Sequence, residues 1–586
     1  MGAVGTGRSL GQGPVLLGLS FCVPALMVGF VFDDLIHRLM LEGKLPFMPS
    51  TWWSLYDFTD HHSAQELIEL GAFPWFASPE LSLRLFRPLS SSTLALDAAL
   101  FGQHPLPAHL HTLVWFAALL LVASALYRRW LCPKVALWAA ILYAISGVHA
   151  LPTAWLASRH TLVAAVFSLT ALWGWARWQE QHWRPGPMVA GVGIVLSLLA
   201  SEAGLAGLAF LILYQAWSPR PWRARLAGMA LFVGAAAIYL VAYFAAGYGI
   251  RDSGMYLWPL QAPGAYIEAA MVRVPLAYAE LFGGAPSILA GADPKLKWIL
   301  AGWGIMAATA AGATLLLLRR RIAAADRPQL LWLGIAAASS PLLLVGTAMS
   351  GRVLPVPMFG AAAIAAQALV AAWEILRDRS ASARWIAPLP LFLFGGALGL
   401  LSPLTRLGLP LLFAANAKMH PKVAREADFG SCAEGGRVYL LTGADPSLSL
   451  YLGPSLEFYA PNKAHLERLR VLALVPQDLE LTRVSDRAFD LSVLGPERRS
   501  NDFERLYRPP ASPLEPGQTF RAGELRVKVL ETSAGLFTKA RFQFDRSLDS
   551  PQSCLVAWQN HRVAPLPIPP VGQSVLVRYE KGPAGM

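Results

Sequence analysis

The sequence predicts an α-helical polytopic membrane protein, with about 11 transmembrane helices and a small β-rich extracytoplasmic domain at the C-terminal end. Three observations carry that expectation. Of 586 residues, 55% are hydrophobic and only 15% are charged, where a soluble chain would carry roughly a quarter. Apolar runs of roughly 20 residues recur from residue 13 to about residue 412, each long enough to cross ~30 Å of hydrocarbon as a helix. From about residue 413 those runs vanish, charge density rises and segments of strand-like composition replace them. The expected division is a transmembrane part over 1–412, including an outer loop over 33–105, and a soluble β-rich domain over 413–586.

The elements follow in chain order. The first apolar run, 13–32, has only Arg8 before it and no clear small-x-small cleavage site, so it reads as an uncleaved signal anchor. Five short basic loops lie at 127–134, 177–184, 218–225, 319–327 and 377–384. Lys and Arg gathered in such loops mark the cytoplasmic side. The net charge of +12 is therefore a topology signal, and no nucleic-acid partner is expected. Spans fitted between the loops fall at 13–32, 106–126, 135–150, 155–176, 185–201, 203–218, 226–246, 297–318, 329–348, 353–376 and 385–408. The stretch 185–218 divides into two short helices because both of its flanks are basic, with the turn at "ASEAG" (200–204). Segment 264–290 is apolar too, but counting it as a crossing would break the charge pattern. It reads as interfacial or re-entrant within an outer loop over 247–296. The result is a multi-pass protein of the cytoplasmic (inner) membrane, N-terminus inside and C-terminal domain outside.

That topology puts an unusual set of side chains on the outer face. Loop 33–105 holds Asp33, Asp34, Asp57, Asp60, Arg87, Asp97 and several histidines. The turn 151–160 ends on Arg159 and His160, the turn 200–204 holds Glu202, and "MSGRVLPVP" (349–357) holds Arg352. Charges at span ends are costly and are functional candidates by default. Each also has a plainer explanation. Asp33–Asp34 could cap a helix end, Arg87 and Arg159 could reach to the interface, Glu202 could pair an arginine, and Arg352 could be an ordinary topology charge. "DFTDHH" (57–62) and the group His104, His109 and His111 have the composition of metal sites, against loop solvation and interfacial packing. Residues 82–103 carry apolar positions at helical spacing, with Pro and hydroxyl residues of a helix start before them. A helix lying on the membrane surface is expected there. Of four cysteines, Cys22 lies in the first span and Cys132 in a basic loop. Cys432 and Cys554 lie in the C-terminal region, either bonded to each other or free.

"FDD" after the first span, followed by "FRPLSSSTLALDAALFGQHPLPAHLHTLVWFAALLL", resembles the GT-C class of membrane glycosyltransferases. Within that class the segments resemble those of protein O-mannosyltransferase-like enzymes and of the transmembrane O-mannosyltransferases that carry tetratricopeptide repeats. "WLASRHTLVAAVFSL" (155–169) is similar to their "GR…LLAALF" segment. "LLASEAGLAGLAF" (198–210) is similar to their "SKE" segment, with Glu202 at the glutamate and Ser201 where the family has lysine. "SGRVLPVPMFGAAAIAAQAL" (350–369) is similar to their "ER-L-Y-P-S-G" segment, with Arg352 at the arginine. No tetratricopeptide repeats follow. The resemblance implies a GT-C-like helical domain that moves a sugar from a polyprenyl-phosphate donor to a glycan, lipid or protein acceptor beside the membrane lipid. It points to Asp33 and Asp34 as base or metal ligands, with a divalent cation, Mg or Mn, as candidate cofactor. Arg87, His109, Arg159, His160, Glu202 and Arg352 then become substrate-binding candidates. An acceptor hydroxyl is a poor nucleophile at neutral pH and needs a base, and a guanidinium suits a leaving phosphate.

Beyond the spans, 437–443, 469–475, 524–531, 539–545 and 574–580 have strand composition, the third and fourth alternating clearly. A transporter or flippase for a lipid-linked or anionic substrate is the rival class. It would show pseudo-symmetric halves and helices broken near the midplane, and the sequence shows neither.

Overall fold

In the computed structural model the described residues are 9–45, 47–48, 51–59, 62–291, 293–378, 385, 387–430, 436–462, 469–498 and 500–582. Two compact units emerge. The first comprises Met1–Gly29, Phe86–Tyr248 and Trp258–Ala414, and the second comprises Phe30–Leu85, Gly249–Leu257 and Ala415–Met586.

The first unit is helical. Helix α1 (Ser9–Ser20) stops short of the expected end of the first span, and a 3-10 turn over Val23–Met27 follows. Pro24 has no N–H to continue an α-helical ladder, which accounts for the break. Next in this unit come α4 (Pro88–Phe101), α5 (Pro105–Trp130), α6 (Pro133–Ile145) and α7 (Ala150–Ala154). They are followed by α8 (His160–Gln181), α9 (Gly186–Ala200), α10 (Gly204–Ala216) and α11 (Trp222–Ala245). The chain ends this unit through α12 (Pro263–Leu281), α13 (Pro294–Leu318), α14 (Asp326–Ser339), α15 (Pro355–Arg377), the one-turn α16 (Pro388–Pro390) and the first half of α17 (Ser402–Glu426), whose residues from Ala415 on belong to the second unit. A π-helical stretch, Leu391–Leu401, joins α16 to α17.

Six of these helices are long and apolar enough to cross a membrane, or up to seven if the bent pair Pro133–Ile145 and Gly147–Ala154 counts as one span, among the described residues. Eleven were expected. The difference lies in short elements: α9 and α10 have 15 and 13 residues, where a crossing needs about 20. Helix α14 gives way to a 3-10 turn at Ser340–Leu344, where Pro341 sits. Helix α12, the segment read as interfacial or re-entrant, is not among the six. The last span does not end at 408; Pro388–Glu426 is one helical stretch of 39 residues. Small side chains and Tyr127, Tyr143, Phe210, Trp332 and Phe359 build the core of this unit.

The second unit contains α2 (Asp33–Leu41), α3 (Ala64–Leu70), α18 (Pro446–Tyr459) and α19 (Asp502–Tyr507). A two-stranded ladder pairs β1 (Ser82–Arg84) with β2 (Gly249–Arg251). One sheet has order β11-β10-β3-β4, from β3 (Arg437–Leu440), β4 (Leu469–Val471), β10 (Ser553–Gln559) and β11 (Arg562–Pro565). A second, antiparallel sheet has order β12-β5-β6-β9-β8-β7. Its strands are β5 (Leu479–Ser485), β6 (Ala488–Val493), β7 (Thr519–Ala522), β8 (Leu525–Ser533), β9 (Leu536–Phe544) and β12 (Ser574–Val577). All five segments of strand composition fall on strands. Strand β8 alternates buried and exposed positions, as a half-buried strand should. Cys22 and Cys132 are free thiols, Cys554 is disulfide-bonded, and Cys432 lies outside the described residues.

Candidate functional site

The two aspartates belong to the second unit and open α2. Carboxylates suit a first turn, where unpaired backbone N–H groups and the helix dipole favour negative charge. They do different things there. Asp34 is 3% exposed, and its Oδ2 accepts from the Val31 N–H at 3.1 Å. It locks the chain entering the helix. Asp33 is only half-buried, and its Oδ1 accepts from the Tyr451 hydroxyl at 2.5 Å. Phe32, between the lock and the helix, has φ 50 and ψ −122. That conformation is one L side chains rarely adopt.

Asp57, another aspartate of this segment, is committed. Arg84 grips it with Nε at 3.0 Å from Oδ1 and NH2 at 2.8 Å from Oδ2. Asp60 and His61 lie outside the described residues, and His62 stands 3.7 Å from Glu66. A divalent cation would want about six oxygen ligands. Among the described residues no group of three or more His, Cys, Asp or Glu side chains is arranged to hold one. Among the described residues, Asp33 and Asp34 have no third His, Cys, Asp or Glu arranged beside them to complete such a group.

The remaining candidates belong to the first unit, where helix ends from distant parts of the chain meet. Arg87 caps α4, and its Nε lies 2.8 Å from Glu202 Oε2 in the turn between α9 and α10. Tyr243, near the end of α11, donates to the other Glu202 oxygen at 3.0 Å. Ser90 ties the same corner by donating to the Ala200 carbonyl at 2.9 Å. Arg159, immediately before α8, is fully buried and pairs with Asp97 Oδ2 at 2.6 Å. It also donates to Thr112 Oγ1 at 2.8 Å and to the Ala108 carbonyl at 2.7 Å. Asp97 Oδ1 is 2.6 Å from His111 Nδ1, and Trp115 Nε1 donates to His111 Nε2 at 3.1 Å. That set assigns the proton of a neutral His111 to Nδ1. His160 Nδ1 lies 2.9 Å from Ser201 Oγ, at the position where the resembled family carries lysine. His109 is buried beside the backbone of Val28 and Thr153. His104 is exposed and His111 is engaged with Asp97, so the three histidines do not form a group.

Arg352 differs from the other two candidate arginines. It lies in the 3-10 turn Gly351–Val353 leading into α15, half-buried, with its guanidinium 5.6 Å from the centre of the Trp155 ring. Arg87 and Arg159 are neutralised by Glu202 and Asp97; no carboxylate pairs with Arg352 among the described residues. The turn is tight: a Cβ on Gly351 would strike the Glu280 carboxylate and come within 3.0 Å of Val148 Cα. The sequence pointed to Asp33, Asp34, Asp57, Arg87, Asp97, Arg159, Glu202 and Arg352, but not to Arg84 or Glu280. It did not point to Tyr451, Tyr243 or Trp155, and no local signal could have, because each works through a partner far away in the chain.

No family model and no curated protein matches the chain. Solved structures do. The Archaeoglobus fulgidus oligosaccharyltransferase, tethered with an acceptor peptide containing the NVT sequon, is 13% identical with a TM-score of 0.40; the match covers 80% of this chain and 63% of that one. The same archaeal enzyme, AglB, in complex with an inhibitory peptide and a dolichol-phosphate, is 12% identical at a TM-score of 0.39, over 80% and 65%. The chain thus spans less than two thirds of that enzyme's length. ArnT from Cupriavidus metallidurans bound to undecaprenyl phosphate is 16% identical at 0.35, over 80% and 86%. At such scores no residue role carries across.

Proposed function

We propose that this chain is a membrane glycosyltransferase that moves a sugar from a polyprenyl-phosphate donor to an acceptor hydroxyl at the extracytoplasmic face. Arg352 carries the reading. It is a half-buried guanidinium on an aromatic face, with no carboxylate pairing it among the described residues, whereas Arg87 and Arg159 are each neutralised by a carboxylate. A cation so placed suits an anionic leaving group, and its planar fork matches phosphate oxygens. Asp33 is assigned the base. It removes the acceptor proton as the acceptor oxygen bonds to the anomeric carbon, and the sugar–phosphate bond breaks with its electron pair leaving on the lipid phosphate. Glu202, held by Arg87 and Tyr243, is assigned to sugar hydroxyls, and His160 with Ser201 to the same substrate. Arg159 and His109 are fully buried and are assigned a supporting role. No step is routed through a metal ion.

The test is sugar release from a panel of polyprenyl-phosphate sugars by purified wild type, Asp33→Asn, Asp34→Asn and Arg352→Ala. Asp33→Asn should lose about 10²–10⁴-fold in kcat, the usual worth of a general base. Asp34→Asn should act mainly on stability. Arg352→Ala should lose rate, and Arg352→Lys should recover part of it. Full turnover by Asp33→Asn would remove the base assignment.

A further inference from the structure

We propose that the Tyr451 hydroxyl is a positioning group that keeps the Asp33 carboxylate ionised and fixed at the start of α2. This rests on the reading of Asp33 as the base. It also gives the C-terminal part of the chain a chemical task, since Tyr451 lies 418 residues beyond Asp33.

Three observations support it. The hydroxyl–carboxylate contact is short, 2.5 Å, in the range of charge-assisted O–H···O⁻ bonds. Phe32, immediately before Asp33, sits in a backbone region that a non-glycine residue holds only when its surroundings enforce it. The enforcement is visible. The Phe32 ring packs against Tyr451 at 5.4 Å between centroids and edge-on to His420 at 5.9 Å. His420 is in turn fixed by Ser455 at 2.8 Å and Asn416 at 3.1 Å, and the Ser455 hydroxyl donates to the Tyr451 carbonyl at 2.6 Å. His420, Asn416 and Ser455 are fully buried. One frame therefore holds both the strained backbone and the hydroxyl that meets the carboxylate.

The chemistry follows from the donor. Burial and the nearby Asp33 charge push the Tyr451 phenol well above its ordinary value, so it stays a donor across the working range. A donor aimed at a carboxylate favours the ionised form and opposes the rise that partial burial would bring. Titratable groups around the pair include Tyr507, near both Asp33 and Tyr451, Tyr256 near Tyr451, and Tyr459, near Asp34 and Arg425. On α2 itself stand Asp34, His37 and Arg38, the last lying 5.0 Å over the Phe30 ring.

The experiment titrates the Asp33 carboxyl in the full-length protein by infrared spectroscopy with ¹³C-labelled aspartate, Asp33→Asn subtracting all other carboxyls. Tyr451→Phe keeps the ring on Phe32 and deletes only the hydroxyl. It should raise the Asp33 midpoint by about one pH unit, the order expected for a hydrogen bond to a charge. The acid limb of sugar release should move up with it. Placing 3-fluorotyrosine at 451 acidifies the phenol and should move the midpoint the other way, which keeps the test decisive even if Tyr451→Phe folds poorly. Tyr507→Phe, which acts on Asp33 only through space, should leave it in place. An unmoved midpoint in both Tyr451 substitutions would overturn the proposal. Full sugar release by Asp33→Asn would instead end the base assignment, a separate result.

Discussion

A guanidinium shut away from water is costly unless the fold supplies partners for it, and Arg159 finds a counter-charge in Asp97. Both are almost without solvent contact, at 1% and 4% of side-chain surface. Removing one partner of such a pair strands the other. Asp97→Asn should therefore cost about 3–5 kcal/mol, read as a fall in thermal stability in detergent. Arg87–Glu202 is more open, at 13% and 14%, and its loss should cost less. The two residues of each pair were already candidates in the sequence. Their pairing was not, because 62 and 115 residues separate the members and nothing local records the contact. Arg406 was passed over altogether. It is fully buried on α17, donating to Cys22 Sγ at 2.8 Å and to Thr153 Oγ1 at 2.5 Å, and it lies within a segment read only as an apolar span and its flank.

At the level of elements, the turn between α9 and α10 falls at the "SEA" of 201–203, inside the stretch expected from the basic flanks. Why α9 packs so closely on α8 is also readable, though only after folding: glycines on α9 face α8. A Cβ on Gly193 would come within 2.9 Å of both Ala171 Cβ and the Phe167 carbonyl, and one on Gly186 within 2.6 Å of Trp178 Cβ. Helices in a membrane gain their contact through such small residues. Gly193→Leu should prise the pair apart and cost about 1–3 kcal/mol. Gly191→Ala, with nothing within 4 Å, should be neutral; unfolding in detergent compares the two. Strands were legible where β-branched and apolar residues alternate, as in β8 and β9. Strands β5, β6, β7, β10 and β11 were not singled out, being set by their neighbours in the sheets more than by their own composition.

For the molecule as a whole, the second unit carries a set of buried phenols that sets its alkaline limit. Burial pushes Tyr451 and Tyr507 well up and Tyr459 up to about 12. In the unfolded chain each would titrate near about 10. The folded form thus holds these protons to higher pH than the unfolded form does. Their contribution to stability is complete below about pH 10 and is lost as pH rises through the folded values. Tyrosinate absorbance should then rise steeply together with loss of β-sheet circular dichroism. A gradual rise near pH 10 with the fold intact would contradict the burial. The helical unit shows the complementary lesson. Hydropathy marks every apolar helix, but length decides which can cross alone, and six to seven meet that test among the described residues.

By itself, the sequence determined the helical membrane part, the β-rich end, the positions of most helix breaks and the charged residues gathered at helix ends. Those features come from composition, periodicity and proline placement, which act over a few neighbouring residues. Only the tertiary structure decided that Asp33 meets Tyr451, that Glu202 holds Arg87, and that Arg352 is left with an aromatic face. Such contacts join residues more than a hundred positions apart. They exist because packing of whole elements brings them together, and no local pattern encodes that.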